Sequence, residues 1–158
     1  IGVTICPGKK APSTFGGTWD RDLTQDLELI QSRFGPKSII TLMPTYELVE
    51  SGVPGLGQAV SDLGMGWHHL AIDDMEAPTE VFEAAWTEAL PKLLEIVKNG
   101  DNVLVHCRGG LGRSGTVAAM LLIELGMAHK EAVATVRSAR PGAIETYEQE
   151  TYVRRYAS

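Results

Sequence analysis

The chain has 158 residues, 44% hydrophobic and 22% charged, and 20 acidic against 14 basic residues give a formal net charge of −6. That is the size and make-up of a single globular domain over 1–158, and it excludes disordered, collagen-like and disulfide-stapled classes. An acidic chain with no run of Lys or Arg gains little from counterion release, so neither a nucleic acid nor an anionic membrane is expected as a partner.

Short apolar runs alternate with longer amphipathic stretches, the pattern of an α/β fold. After a Gly/Pro/Ser-rich opening to Gly17, the stretch Asp20 to Phe34 sets Leu23, Leu27 and Ile30 on one helical face, and Gly35-Pro36 ends it. A strand is predicted at Ser38 to Leu42, a short helix near Tyr46 to Glu50, a further helix at Leu56 to Leu63 and a strand at Trp67 to Ile72. Glu80 to Lys98 is the longest periodic segment, with Val81, Ala85, Leu90, Leu93, Leu94 and Val97 as its expected buried stripe. Asn102 to His106, with Val-Leu-Val at its centre, reads as a buried strand. Helices are predicted at Ser114 to Leu125, Lys130 to Ala139 and Thr146 to Tyr156.

No stretch reaches the roughly 18 to 20 apolar residues that span a bilayer. Cys6 and Cys107 are too few for a disulfide framework or a four-ligand zinc site, so no metal or other cofactor is expected, and a reduced, cytoplasmic setting is the default. A Cys6–Cys107 crosslink on oxidation is left open. His68 and His69 are neighbours on a predicted strand and point to opposite faces, so one of them belongs to the core and the pair does not make a metal site. Met65, Met75, Met120 and Met127 follow no pattern and read as packing. Lys9, Lys10, Arg137 and Arg140 read as solvated surface or as local positive charge.

Residues 106 to 115 run His-Cys-Arg-Gly-Gly-Leu-Gly-Arg-Ser-Gly: a strand delivers a cysteine into a glycine-rich loop, and a helix follows at once. Such a loop turns successive backbone N–H groups toward one point, and the helix adds its positive end. Arg108, Gly109, Gly110, Leu111, Gly112 and Arg113 thereby make an anion site, and the same field stabilises a thiolate on Cys107. Arg113 supplies a planar fork for two oxygens of a tetrahedral dianion. A nucleophilic sulfur beside a phosphate cradle specifies in-line attack on phosphorus to give a cysteinyl-phosphate, with Ser114 placed to help the sulfur depart and His106 to orient the loop.

The string His106-Cys107, five residues, then Arg113-Ser114 resembles the signature of the cysteine-dependent protein tyrosine and dual-specificity phosphatases. That resemblance implies a three-layer sandwich with a short, mostly parallel sheet, and a carboxylic acid on a separate loop to protonate the leaving oxygen. The family spacing of Asp, three residues, then Pro fits Asp74 with Pro78 and leaves Asp73 one residue out of register, so Asp74 is the expected general acid. The chain is most similar to the kinase-associated phosphatase branch, cyclin-dependent kinase inhibitor 3-like. The blocks that carry this are His68-His69 with Asp74 and Pro78, the loop from Gly109 to Ser114, Gly142-Ala143-Ile144 leading to Gln149, and more weakly Pro7-Gly8-Lys9. The Arg140-Pro141-Gly142 turn is also similar to the Cdc14-like phosphatases, and by that resemblance Gln149 positions the hydrolytic water.

The expected substrate is a phosphoprotein or phosphopeptide bearing phosphotyrosine or phosphoserine/threonine, acted on by a monomer, with phosphate, sulfate or vanadate as active-site anions. A phosphatase of phosphoinositides or other small phosphomonoesters, a catalytically silent phosphate-binding module, and sulfur transfer or arsenate reduction on a similar loop are the alternatives. No tyrosine-bearing loop that would deepen the pocket is recognised. The acidity is local: residues 72–98 hold 7 acidic and 2 basic groups, whereas 99–158, which carry the loop, hold 6 and 7.

Overall fold

The computed structural model describes residues 1–156. Four parallel strands form the centre in the order β1 (Gly2–Thr4), β6 (Asn102–His106), β4 (Pro36–Thr41) and β5 (Gly66–His69). Their registers pair Thr4 with His106, Thr41 with His106 and Thr41 with His69, so the C-terminal ends of all four strands lie side by side. A small antiparallel hairpin, β2 (Lys10–Pro12) and β3 (Thr18–Asp20), stands apart from this sheet.

Strands buried on both faces divide their side chains by the period of two. Ile39 and Leu104 pack with Leu27 of α1 (Leu23–Arg33), Leu48 of α2 (Thr45–Glu50) and Leu56 and Val60 of α3 (Leu56–Asp62). Ile40, Val103 and Val105 face the other way, against Phe82, Trp86 and Leu93 of α4 (Glu80–Lys98) and Val117, Met120 and Leu121 of α5 (Gly112–Glu124). On the outer side of α5, Ala118 and Ala119 meet Ala132 and Val136 of α6 (His129–Ala139) and Val153 of α7 (Tyr147–Tyr156). The architecture is a parallel sheet between helical layers, as the sequence implies.

Several expectations need correction. The Gly/Pro/Ser-rich opening contains β1 and the β2–β3 hairpin, each strand only three residues long and too short to show an alternation. α1 starts at Leu23 rather than Asp20 because Asp22 is its N-cap, accepting from the Gln25 N–H at 2.8 Å. β5 ends at His69 rather than Ile72, although the N–H groups of Leu70 and Ile72 still donate to Thr41 and Leu42. α4 has the predicted ends, and its predicted stripe is inward in part: Leu93 is buried and Ala85, Leu90 and Val97 pack against the same core, but Val81 is 82% exposed. The centre of the buried face is Phe82, Trp86, Ala89, Leu93 and Ile96, because the two aromatics, stacked at 5.8 Å, bury far more apolar surface than Val81 does.

Candidate active site

β6 ends at His106 on the C-terminal edge of the sheet, where open α/β folds place their ligands. From there to the first turn of α5, every carbonyl is held by a donor. The Cys107 carbonyl accepts from His106 Nδ1 (3.3 Å) and the Arg108 carbonyl from the Cys6 N–H (3.3 Å). The carbonyls of Gly109 and Gly110 accept from Nη2 and Nε of Arg140 (3.3 and 3.0 Å). The Leu111 carbonyl accepts from the N–H groups of Gly115 and Ile144, and that of Gly112 from Thr116 Oγ1. In a trans peptide the N–H points opposite to the C=O, so the amides of residues 108–113 face the interior of the loop. Among the described residues no protein acceptor takes them. Gly110 has φ +66 and lies on Thr4, whose backbone a Cβ would meet at 2.7 Å, so only glycine allows this close turn.

Cys107 is buried beneath these amides, and its Sγ is 3.3 Å from Ser114 Oγ. The fully buried His106 has a determinable tautomer. Its Nδ1 faces a carbonyl and must carry the proton, so Nε2 accepts from the Thr41 hydroxyl at 2.7 Å, and Thr41 in turn accepts from Trp67 Nε1 at 2.8 Å. Burial pushes the imidazole down to about 4, with the Arg113 charge adding to the effect. His106 is therefore a neutral strut between the sheet and the loop.

Arg113 is 2% exposed and uses both terminal nitrogens. Nη1 donates to Glu47 Oε1 (2.8 Å) and the Ile72 carbonyl (2.9 Å), and Nη2 to Glu47 Oε2 (3.1 Å) and Asp74 Oδ1 (2.9 Å). Burial works against the guanidinium charge, but the Glu47 hydrogen bond and the acidic neighbours outweigh it and hold Arg113 above its ordinary value. Asp74 is half-exposed on the loop after β5, where Met75 takes a left-handed φ of 64 and its N–H donates to Asp74 Oδ1. The structure thus gathers Cys107, Arg113, Ser114, His106 and Asp74 around one loop.

Gln149 is also nearby and fully buried, with a committed side chain. Its Oε1 accepts from the N–H groups of Glu145 and Thr146, and its Nε2 donates to the Glu76 carbonyl. It ties the start of α7 to the acid loop. A Cβ on Gly112 would come within 2.5 Å of Glu145 Oε2 and 2.9 Å of Gln149 Oε1, which is why that loop position has no side chain.

Sequence reasoning missed Glu47, the buried partner of Arg113. The available signal was a carboxylate in the short helix just beyond the C-terminal end of a predicted strand. It also missed Tyr46, whose hydroxyl donates to Asp73 Oδ1 at 3.0 Å beside Asp74. Lys9, read as surface, is only 8% exposed: its amine lies 5.1 Å over the Trp19 ring and contacts the Arg108 carbonyl at 3.5 Å. Burial and the Arg108 charge hold that amine below its ordinary value. Arg108 itself leans toward Glu47 and Glu50. Cys6 packs with Ile39 and Leu104, whereas Cys107 packs with Val103 and Val105 on the opposite face of the sheet. His68 and His69 are both half-buried, so neither is a core residue in the strict sense. His69 donates to the Met43 carbonyl at 2.7 Å.

Comparison with known proteins agrees with this geometry. A family model described as "PTP-SAK: Swiss Army Knife protein, DSP-PTPase phosphatase domain" matches residues 24–153. The chain is 32% identical over 159 residues to cyclin-dependent kinase inhibitor 3 of Rattus norvegicus, covering 99% of this chain and 71% of that protein. It is 33% identical, with the same coverage, to the Homo sapiens protein of that name. A crystal structure of kinase associated phosphatase with its catalytic-site cysteine replaced by serine superposes with a TM-score of 0.82 at 30% identity, covering 96% of this chain and 82% of the other. Tk-PTP in the active form gives 0.71 at 32% identity, with 89% and 90% covered.

Proposed function

The chain belongs to the dual-specificity and protein tyrosine phosphatases, phosphoric monoester hydrolases, and from that membership we propose how its own residues divide the reaction. The Cys107 thiolate attacks phosphorus in line, forming the S–P bond as the P–O bond to the leaving group breaks. Arg113 and the amides of residues 108–113 hold the equatorial oxygens. Asp74 passes its proton to the leaving oxygen, which a phenolate needs because its conjugate acid has a pKa of about 10. Water then forms a new O–P bond and displaces the sulfur, its proton returns to Asp74, and the Ser114 hydroxyl donates to the departing thiolate. His106 keeps the loop in register, and Gln149 holds the loop that carries Asp74 to α7.

The observation that carries this reading is Cys107 Sγ beside Ser114 Oγ in a loop whose amides no described protein acceptor takes, with Asp74 bound to the fork of Arg113 from the same loop. The substrate is a phosphoprotein carrying phosphotyrosine or phosphoserine/threonine; phosphate, sulfate and vanadate compete for the loop. Residues 1–158 act as one catalytic domain and as a monomer, in the cytoplasm, with no nucleic acid or membrane involved. Among the described residues no helix is long and apolar enough to cross a membrane. The test is hydrolysis of an aryl phosphate by wild type and Cys107→Ser. Turnover by the wild type with trapping of a cysteinyl-phosphate, and none by the variant, is expected; equal rates sink the covalent mechanism. Phosphotyrosine, phosphothreonine and phosphoinositide substrates tried in parallel identify the substrate class, and preference for the lipid would overturn the phosphoprotein assignment.

A further inference from the structure

We infer, resting on the phosphatase reading of the loop, that Arg140 is a positioning residue for catalysis. By holding the carbonyls of Gly109 and Gly110 turned outward, it keeps the amides of Gly110 and Leu111 aimed at the phosphoryl group.

Each peptide unit carries its C=O and N–H on opposite sides. The hydrogen bonds from Arg140 Nη2 to Gly109 (3.3 Å) and from Nε to Gly110 (3.0 Å) therefore fix the two amides that follow in the chain. These peptides flank Gly110, which packs on the Thr4 backbone, and neither Gly109 nor Gly110 has a side chain of its own to hydrogen-bond. The neighbouring peptides are held by the core of the fold: Cys6 on the β1 side takes the Arg108 carbonyl, and Gly115 and Ile144 take that of Leu111. Between them, among the described residues, Arg140 alone donates to the carbonyls of Gly109 and Gly110.

The partners of Arg140 differ from those of the other arginines at the site: Arg108, Arg113 and Arg137 each meet a carboxylate. Among the described residues Arg140 pairs with none, and its guanidinium serves peptide carbonyls alone. A positive charge left without a carboxylate beside the cradle favours the phosphoryl dianion. Its own mounting is rigid. The Arg140 N–H closes α6 on the Val136 carbonyl, and Arg137 bridges the carbonyls of Ala143 and Ile144 and the Glu150 carboxylate. Ile144, in a left-handed φ of 60, donates to Leu111. The turn after α6 is thus bolted to the loop at two points, a side-chain fork and a backbone N–H. Lys9 makes the analogous contact to the Arg108 carbonyl, but at 3.5 Å and shared with Cys6.

The experiment measures vanadate affinity by calorimetry, aryl phosphate kcat and KM, and thermal unfolding, for wild type, Arg140→Gln, Arg140→Lys and Arg140→Ala. Two charge-assisted hydrogen bonds are lost in Arg140→Gln, so vanadate binding should weaken roughly 10-fold or more, with kcat/KM falling in parallel and the unfolding midpoint little changed. Arg140→Lys keeps the charge but reaches one carbonyl at most, and should fall between. Millimolar guanidinium should restore part of the vanadate affinity of Arg140→Ala, which a merely structural role would not produce. Vanadate affinity in Arg140→Gln within twofold of wild type, or lost only in proportion to the folded fraction, overturns the inference. If Arg140→Gln does not fold, the same criteria apply to Arg140→Lys. A wild type that neither binds vanadate nor hydrolyses the ester overturns the phosphatase reading as well, a result distinct from a selective null at Arg140.

Discussion

Asp74 and Arg113 are bound to each other, Oδ1 to Nη2 at 2.9 Å, while the other donors of the terminal nitrogens go to Glu47 and the Ile72 carbonyl. A phosphoryl group gripped by Arg113 draws on the donor that Asp74 uses, so substrate binding and release of the acid toward the leaving oxygen are one exchange. Asp74→Ala should therefore lower kcat by about 10²- to 10⁴-fold for poor leaving groups and much less for good ones. Vanadate affinity should stay level or rise, because a competitor for the fork is gone. A leaving-group series with parallel vanadate titration checks both; a uniform rate loss together with weaker vanadate binding would make Asp74 a support for the fork and not the acid.

Glu47 and Arg113 are each about 2% exposed, and removing one partner strands the other charge in the core. Glu47→Ala should cost about 3–5 kcal/mol of stability together with phosphate affinity. Glu50 offers the contrast: its ion pair with Arg108 is long, 3.4 Å, and its side chain is 64% exposed. Glu50→Ala should change stability by less than about 1 kcal/mol. Urea unfolding of the two variants side by side decides the matter, and similar losses would contradict the assigned burial.

The difference between these glutamates shows where the sequence is legible. Residues 106–114 declare themselves because glycines, a cysteine and an arginine at fixed spacing have few other uses, and the local chain alone forms the loop. Glu47, Lys9 and Arg140 act on that loop from 60, 98 and 33 residues away from Cys107. Their contribution exists only once the sheet has brought its strand ends together, and their immediate neighbours do not say which groups on the loop they hold. The same holds for the fold. The ends of α4 are local, set by Thr79 and Asn99-Gly100, and are readable. Where its buried face is centred depends on the sheet it meets: Leu93 of the aliphatic stripe reaches the core, but Phe82 and Trp86 take the N-terminal half and leave Val81 exposed.

Cys6 and Cys107 lie in different cores, and only Cys107 lies in the loop beside Ser114. Burial pushes the Cys6 thiol up to about 12, so it stays protonated and unreactive at neutral pH. In the native protein at pH 7, iodoacetamide should label Cys107 and spare Cys6, and Cys107→Ser should not be labelled. Mild peroxide should give a Cys107 sulfenic acid or its thiol adducts, and no Cys6–Cys107 crosslink, because the two side chains lie in cores on opposite faces of the sheet. Peptide mapping by mass spectrometry reads both outcomes, and a crosslinked peptide would show that the strand ends rearrange on oxidation.

His106 should make the protein sensitive to acid well above the range where carboxylates titrate. Its folded value is about 4 against 6.5 for the free group, a depression caused first by burial and reinforced by Arg113 and His69. Between those values the unfolded chain binds a proton that the folded chain refuses, so stability rises with pH across that window. The contribution is complete above about 6.5 and is lost progressively down to about 4, at about 1.4 kcal/mol per unit. From pH 7 to 5 the loss is about 2 kcal/mol. His106→Asn removes the titration and keeps a donor at the position of Nδ1, so its stability should fall less than that of wild type over the same interval. Thr41→Val tests the other end of the strut: it leaves Nε2 of His106 and Nε1 of Trp67 without their partner, at a cost of about 1–3 kcal/mol at pH 7. Denaturant midpoints at pH 7 and 5 for the three proteins measure both effects. Parallel pH dependence in wild type and His106→Asn would mean that His106 takes up its proton within the fold, and that the loop tolerates a cation behind Cys107.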